Sequence, residues 1–154
     1  MSPAITQFSG QYRWLSNFYP CFVRYHDVVY PTTEHAYQAT KTLDDDLRLR
    51  ISRLPRPGLA KTFYRDHDLI SAIRPGWHDL SLSVMEQILR LKFIDTRRFR
   101  DLLLATGDVT IQEGNYWGDT FWGVDLRTAS GLNHLGKIIM RLRKELQEEC
   151  HGIG

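Results

Sequence analysis

Residues 28–41 read VVYPTTEHAYQATK, and this stretch decides the fold because a strand passes directly into a helix within it. Its first three residues are β-branched or aromatic and predict a short strand. Residues 22–25 predict the partner strand of a hairpin, with residues 26–27 as the turn. Pro31 ends the second strand, and one of the two threonines after it caps a helix that is predicted to run to about Leu43.

This predicted helix has a polar face. Glu34, Tyr37, Gln38 and Lys41 follow the spacing i, i+3, i+4, i+7, so they line one side of the helix. Glu34 stands in the first turn, where the helix dipole favours a carboxylate. The face combines an acid, a phenol, an amide and an amine. It is either an ordinary solvent-facing stripe or the wall of a polar pocket, and the phenol ring of Tyr37 favours the pocket.

Outward from this stretch the sequence predicts mainly helices. Apolar residues recur at helical spacing, and Pro or Gly separates several of the periodic segments. The predicted helical segments are residues 47–52, 59–64, from 77 through 91, 96–105, and a last one from about 133. Residues 109–112 predict one more strand, and residues 114–131 an irregular segment. We find no repeat and no linker, which predicts an α+β fold: one mostly helical domain over residues 1–154, with a small β-sheet near the N-terminus.

A second polar segment stands out at residues 113–119, which read EGNYWGD. It places two carboxylates, two aromatic rings and two glycines within seven residues. Such a loop is poor material for a core and good material for a pocket. The alternative is a surface loop whose aromatic side chains merely cover the protein.

The charge of the chain is uneven. The net charge at pH 7 is +2 over 154 residues, but residues 47–100 contain twelve Lys and Arg against five Asp and Glu. A basic segment of this kind suggests an anionic ligand such as a phosphate or a nucleic acid. A solvated helical surface is an equally good interpretation.

Several classes of protein are disfavoured by the sequence. Cys21 and Cys150 are far apart, so both are expected to be reduced thiols. The six histidines lack the spacing of a metal site, and no Walker loop, GxGxxG or GxSxG motif occurs. We therefore expect no metal and no cofactor. No signal peptide or membrane span is recognisable, and a cytoplasmic location is expected.

Four motifs together resemble one known family. Leu15–Pro20 (LSNFYP), Tyr30–Lys41 (YPTTEHAYQATK), Asn115–Asp119 (NYWGD) and Asn133–Arg143 (NHLGKIIMRLR) occur in this order. This order and spacing are similar to those of the YbiA-like or NADAR family, and the resemblance covers nearly the whole chain. Each motif alone is weak, whereas four in order are specific.

The resemblance implies an α+β N-glycosidase that needs no metal and acts on ribosylamine-type C–N bonds. Some members of the family hydrolyse early phosphorylated intermediates of riboflavin synthesis, and others remove ADP-ribose from guanine in nucleic acid. The substrate implied is therefore of the nucleotide type. The family's functional positions correspond here to Asn17, Glu34, Tyr37, Lys41, Trp117, Asp119 and Asn133.

The chemistry of such a bond suggests roles for the polar residues. Positive charge develops at ribose C1′ when the C–N bond breaks, and a carboxylate stabilises it. Glu34 and Asp119 are the candidate carboxylates, one facing the sugar and activating water, the other binding ribose hydroxyls or assisting the base. Lys41 either attacks C1′ and forms a Schiff base or pairs with a phosphate or carboxylate.

Other side chains are candidates for substrate binding. The side chain of Asn133 either caps the last helix or points its amide into a pocket. The rings that are candidates for stacking on a planar base belong to Trp14, Phe18, Tyr37 and Trp117.

Two functions of other classes compete with the enzyme. The first is a non-catalytic binding module for ADP-ribose or a nucleotide, but such a module has no need of Glu34, Lys41 and Asp119 together. The second is a nucleic-acid-binding module that uses the basic segment, against which the modest net charge argues.

Overall fold

The computed structural model describes residues 3–152, which form six α-helices and two pairs of short strands. The strands are β1 (Val23–Tyr25), β2 (Val28–Tyr30), β3 (Gly114–Asn115) and β4 (Val124–Asp125). The helices are α1 (Thr33–Ala39), α2 (Asp45–Ser52), α3 (Pro57–Asp66), α4 (Trp77–Phe93), α5 (Arg97–Ala105) and α6 (His134–Gly152). Single 3₁₀ helices cover Gly10–Leu15 and Ile70–Ala72. The predicted mostly helical α+β class is confirmed. Within the described residues, no helix is long and apolar enough to cross a membrane.

The described residues group into two compact units. One unit contains the chain up to Ser16 and from Phe93 onward, and the other contains Asn17–Lys92. The hairpin, α1, α2, α3 and nearly all of α4 belong to the Asn17–Lys92 unit. The prediction of a single domain over residues 1–154 stays a prediction.

The hairpin of the Asn17–Lys92 unit forms as the sequence predicts. Strands β1 and β2 are antiparallel, with Val23 opposite Tyr30. Both turn residues have positive φ, 48° at His26 and 65° at Asp27. A two-residue turn of this type matches the right-handed twist of the paired strands, and Asp tolerates it better than most residues. Strand β2 ends at Tyr30, and α1 begins only three residues later, at Thr33.

Helix α1 starts where predicted but ends four residues early, at Ala39 rather than about Leu43. The side chain of Thr32 caps its first turn by accepting a hydrogen bond from the backbone N–H of His35 (3.1 Å). At its other end, the hydroxyl of Thr40 donates to the carbonyl of Tyr37 (2.5 Å). Lys41 consequently lies just beyond the helix, in a turn closed by its N–H to the carbonyl of Gln38 (3.2 Å).

The next helices begin at local signals. The Asp44 carboxylate caps α2 by accepting hydrogen bonds from the N–H groups of Asp46 (2.9 Å) and Leu47 (3.2 Å). Helix α2 therefore starts two residues earlier than predicted. Helix α3 carries Pro57 in its first turn, where a missing N–H costs nothing.

The other unit is built around α5 and α6. Its predicted strand at residues 109–112 is wrong, because only Ile111 makes a β-bridge, a single parallel one to Ile5. Gly136 lets α6 pass close to this segment, since a Cβ there would lie 2.3 Å from the carbonyl oxygen of Ile111. The predicted irregular segment contains the two-residue strands β3 and β4, which pair in parallel.

One lysine is fully buried. Lys92, on α4, has no solvent exposure. Burial lowers the pKa of its amine from 10.5 to about 7, while the nearby Cys21 raises it slightly. A lysine with this pKa is protonated less readily in the folded protein than in the unfolded chain, so its ionisation opposes folding.

Replacing Lys92 with methionine is expected to stabilise the protein at pH 7 and below. The unfolded chain binds more protons between pH 7 and 10.5, so wild-type stability rises with pH across that window. The variant lacks this term and gains roughly 5 kcal/mol of unfolding free energy at pH 6, with the difference shrinking toward pH 10. Urea unfolding from pH 6 to 10 measures it, with the exposed Lys144→Met as control. A flat wild-type profile above pH 7 would contradict the assignment.

Candidate active site

The start of α1 is held in place by Asn17. The backbone carbonyl of Asn17 accepts a hydrogen bond from the N–H of Glu34 (3.1 Å). Its side-chain carbonyl accepts one from the hydroxyl of Thr33 (2.8 Å), and its amide lies 3.5 Å from the sulfur of Met85. Asn17, a predicted substrate-binding residue, is thus buried and fixes the position of Glu34.

The end of α1 is fixed by donors from three other segments. Helix ends leave carbonyl groups without partners inside the helix. The bonds run from the Tyr64 hydroxyl to the Gln38 carbonyl (2.6 Å), from the Arg74 N–H to the Lys41 carbonyl (2.7 Å) and from Arg48 Nε to the Thr42 carbonyl (2.9 Å). These three hydrogen bonds fix the main chain of residues 38–42. They therefore also fix the Cα position from which the Lys41 side chain extends.

Helix α1 buries polar side chains along its whole length. Every residue from Thr33 to Ala39 is buried, and Glu34 is only 8% exposed. Gln38 donates a hydrogen bond from its amide nitrogen to Glu34 Oε1 (2.8 Å). Its own oxygen, Oε1, is buried and has no hydrogen-bond partner within the described residues. Burying a carboxylate and an unmatched amide oxygen costs free energy, and such costs concentrate at functional sites.

Glu34, Gln38 and Lys41 form what we call the polar cluster, and Lys41 is its only amine. Its Nζ lies 5.5 Å from the centre of the Tyr37 ring, in a cation–π arrangement. Burial lowers the pKa of the Lys41 amine below its ordinary value of 10.5. The charge of Glu34 raises this pKa, and the charge of Lys61 lowers it. The neutral, nucleophilic form of Lys41 is thus easier to reach than that of an exposed lysine.

Aromatic side chains accompany this cluster. The rings of Tyr37 and Trp77 are 5.4 Å apart and tilted by 33°. Phe18 is 41% exposed, and Lys61 Nζ lies 5.8 Å from the centre of its ring. The sequence did not point to Trp77 or Lys61, because each comes from a segment distant from α1 in the chain. Gln38 did carry a signal, its place four residues after Glu34.

His35 has a structural environment. Its Nε2 lies 3.0 Å from the carbonyl oxygen of Leu54, which can only accept a hydrogen bond. Nε2 therefore carries the proton, and Nδ1 accepts from the hydroxyl of Thr32 at 2.7 Å. Burial lowers the pKa of His35, which keeps the ring neutral. Both nitrogens are used in binding the chain to itself.

In the other unit, residues 115–119 form a closed loop. The Asn115 amide nitrogen donates to the carbonyl of Asp119 (2.9 Å), and the Asn115 side-chain oxygen accepts from the N–H of Asp119 (3.0 Å). Gly118, with φ of +81°, makes the turn between them. Trp117 lies at the tip of the loop and is 64% exposed.

Only one oxygen of the Asp119 carboxylate is hydrogen-bonded within the described residues. Its Oδ1 accepts hydrogen bonds from the N–H groups of Phe121 (3.1 Å) and Trp122 (2.9 Å). Its Oδ2 makes no hydrogen bond within the part of the chain that the structure describes. One oxygen thus holds the loop, and the other is available to a ligand.

The other two predicted substrate-binding residues of this unit, Asn133 and Trp14, contact other residues of the same unit. Asn133 accepts a hydrogen bond from the N–H of Glu113 (3.0 Å) and donates one to the carbonyl of Ile111 (3.0 Å). Trp14 is buried, with its ring edge-on to that of Phe93 at 6.4 Å. Their contact with a substrate stays a prediction.

The charge of Lys61 is predicted to affect the reactivity of the Lys41 amine. Replacing Lys61 with glutamine removes a charge that lowers the pKa of Lys41, so this pKa is expected to rise. Acetylation of Lys41, followed by peptide mass spectrometry against pH, then moves to higher pH. The shift should shrink in high salt because Lys61 is exposed. The exposed Lys137→Gln, on α6, is the control. An unchanged or acid-shifted profile would refute the electrostatic coupling.

Among the described residues, no group of three or more His, Cys, Asp or Glu side chains is arranged to hold a metal ion. The polar cluster is built instead from one buried acid, one amide and one amine.

The fold and the site define a small α+β protein that holds a buried acid and a half-buried amine around one short helix. Residues 6–147 match the NADAR domain, and the chain belongs to the NADAR family. This match includes residues of both compact units.

Two similar proteins, one of them with a solved structure, support the assignment. The chain is 35% identical to N-glycosidase YbiA of Escherichia coli over 141 residues, which are 92% of this chain and 86% of that protein. The solved NMR structure of E. coli YbiA superposes with a TM-score of 0.81 at 34% identity, covering 97% of this chain and 88% of that one. N-glycosidase Npun_R5314 of Nostoc punctiforme is 33% identical, over 88% of this chain and 86% of its own length.

A longer relative also matches. Riboflavin biosynthesis protein VVA0006 of Vibrio vulnificus is 38% identical over 137 residues, which are 89% of this chain. They are only 36% of the Vibrio protein, so the chain spans about a third of that relative's length.

Proposed function

We propose that this protein is an N-glycosidase, a hydrolase that cleaves the C–N bond between ribose C1′ and a base in a nucleotide-type substrate. One observation carries the proposal. The buried carboxylate of Glu34 is close enough to the half-buried amine of Lys41 for its charge to raise the pKa of that amine. The names of the YbiA and Nostoc relatives, both N-glycosidases, support it.

Lys41 is the proposed nucleophile. Its neutral amine adds to C1′ as the bond from C1′ to the base nitrogen breaks. One amine proton passes to the departing nitrogen, and the other passes to the ring oxygen as the sugar opens to an imine. Water then hydrolyses this imine, releasing the sugar as an aldehyde and restoring the amine. The lowered pKa of Lys41 favours the first step because only the neutral amine attacks.

Glu34 is the proposed stabiliser of positive charge at C1′ and the ring oxygen. Its carboxylate is oriented by the hydrogen bond from Gln38, so little reorganisation is needed as charge develops. The unpartnered Oε1 of Gln38 is suited to accept a hydrogen bond from a sugar hydroxyl. Tyr37 is the proposed ring that stacks on the base, and its position is fixed by packing against Trp77.

Asp119 and Trp117 are proposed substrate contacts of the other unit. The Oδ2 oxygen of Asp119 can accept hydrogen bonds from ribose hydroxyls, since only Oδ1 holds the loop. The exposed indole of Trp117 offers a flat surface for a planar base.

Two substrate classes fit this chemistry. One is ADP-ribosylated guanine in nucleic acid, from which ADP-ribose is released. The other is a phosphorylated ribosylaminopyrimidine of riboflavin biosynthesis, which the name of the Vibrio relative favours. The competing proposal is a protein that binds ADP-ribose or a nucleotide without turnover.

A product assay tests the proposal. The protein is incubated separately with guanine-ADP-ribosylated DNA and with the ribosylaminopyrimidine phosphate, and released ADP-ribose or ribose 5-phosphate is measured by mass spectrometry. Turnover of one substrate, lost in Glu34→Gln, supports the enzyme and identifies its substrate class. Saturable binding of ADP-ribose with no turnover of either substrate would overturn the proposal in favour of the binding module.

A further inference from the structure

Glu113 carries a carboxylate that the proposed mechanism does not use. The residue comes directly before β3 and is half-buried. Its main chain is held on both sides, because its N–H donates to the side-chain oxygen of Asn133 (3.0 Å) and its carbonyl accepts from the N–H of Val124 (2.9 Å). The side chain of Glu113 therefore extends from a fixed point beside the β3–β4 pair.

The Glu113 carboxylate lies against Gly123 and Asn115. Its Oε2 accepts a hydrogen bond from the amide nitrogen of Asn115 (3.1 Å). No side chain fits at Gly123, because a Cβ there would overlap both this oxygen and the carbonyl oxygen of Glu113. The glycine thus leaves room for a carboxylate next to the Asn115 amide, and Glu113 fills that room.

Glu113 determines the orientation of the Asn115 amide. An ionised carboxylate can only accept hydrogen bonds, so the nitrogen of the amide, rather than its oxygen, faces Glu113. Both protons of this nitrogen then have acceptors, Glu113 Oε2 and the Asp119 carbonyl (2.9 Å), and the amide oxygen accepts from the Asp119 N–H (3.0 Å). A reversed amide would place two oxygens face to face at Glu113 and would lose both bonds to Asp119.

We propose that Glu113 is a positioning residue for Asp119. It orients the Asn115 amide, and this amide fixes the main chain from which the Asp119 carboxylate extends. Oδ1 of Asp119 accepts from the N–H groups of Phe121 and Trp122, so the direction of Oδ2 is set as well. The inference rests on the proposed N-glycosidase function, in which Oδ2 binds ribose hydroxyls. Glu113 acts through Asn115 and needs no contact of its own with the substrate.

The first test measures the loop without any substrate. Hydrogen exchange of the Asp119 N–H, followed by NMR, reports on its bond to Asn115. In Glu113→Ala this exchange is expected to become about ten- to hundredfold faster, the effect of losing one hydrogen bond to a charged group. Glu113→Gln still offers an oxygen to the Asn115 amide and should restore most of the protection.

A matched control and two contrary results complete this test. The exposed Glu148→Ala, on α6 of the same unit, removes one carboxylate and should exchange as the wild type does. Unchanged exchange of Asp119 in Glu113→Ala, or equally fast exchange in Glu113→Ala and Glu113→Gln, would overturn the proposal.

The second test determines whether the effect reaches the substrate through Asp119. Glu113→Ala should raise KM about tenfold with a smaller change in kcat, because a displaced Oδ2 binds the ribose hydroxyls less well. Asp119→Asn keeps an oxygen that can hold the loop and removes only the Oδ2 acceptor. Adding Glu113→Ala to Asp119→Asn should therefore change KM less than about twofold. Additive effects of the two substitutions, or an unchanged KM in Glu113→Ala, overturn the proposal.

Failure of the proposed function gives a different result. If the wild type turns over neither substrate class, the N-glycosidase proposal fails, and calorimetry with ADP-ribose replaces kinetics for the same variants. Weaker binding by Glu113→Ala than by Glu113→Gln, with no further loss when Glu113→Ala is added to Asp119→Asn, supports the positioning role. Equal binding of ADP-ribose by the wild type and by Glu113→Ala overturns it.

Discussion

Replacing Lys41 with alanine is expected to abolish the covalent intermediate and to lower kcat by about a thousandfold or more, as loss of a nucleophile does in other enzymes. The amine is placed by a main chain fixed at residues 38–42, and burial lowers its pKa. Borohydride reduction during turnover, followed by intact-mass analysis, should detect one sugar adduct in the wild type and none in the variant. The exposed Lys137→Ala should behave as the wild type.

A charge-conserving variant separates the two possible roles of Lys41. Arginine retains a cation but does not form an imine, so Lys41→Arg should be as inactive as Lys41→Ala. If Lys41 only pairs with a phosphate or a carboxylate, Lys41→Arg should keep most of the activity. An active Lys41→Ala enzyme would exclude the covalent route and leave direct attack by water, assisted by Glu34.

The sequence predicts those parts of the fold that depend on neighbouring residues. The hairpin turn at His26 and Asp27 and the cap at Thr32 act over two or three positions, so both can be recognised locally. The end of α1 cannot, because the carbonyls that terminate it bond to Tyr64 and to arginines from distant segments. The predicted strand at residues 109–112 fails for a related reason. Its composition suits a strand, but only Ile111 finds a partner.

The sequence supplies candidate site residues, whose roles stay predictions, but it does not supply their arrangement. Helical spacing placed Glu34 and Gln38 on one face, and they are hydrogen-bonded. The spacing gave no information on whether that face is buried, which depends on packing of other elements. Nor did it reveal Lys61, whose charge acts on Lys41 from α3. Asp119 illustrates the same limit, since its role in holding a loop depends on backbone geometry that composition does not specify.

Replacing Glu34 with glutamine is expected to lower kcat by about 10²- to 10⁴-fold while leaving the fold intact. Glutamine has the same shape, and its Oε1 can still accept the hydrogen bond from Gln38. What the variant lacks is the negative charge that stabilises C1′ in the transition state. The exposed Glu148→Gln, on α6, controls for the loss of one charge, and thermal unfolding checks that both variants are folded.

A second readout gives this variant a signature that a merely misfolded site would not produce. The charge of Glu34 raises the pKa of Lys41, so its removal should lower that pKa further. Acetylation of Lys41 at neutral pH should therefore become faster in Glu34→Gln although turnover becomes slower, the opposite of the shift expected for Lys61→Gln. If acetylation and turnover fall together, Glu34 acts by holding the local structure rather than by its charge. Unchanged turnover would remove Glu34 from the mechanism and leave Asp119 as the carboxylate to test.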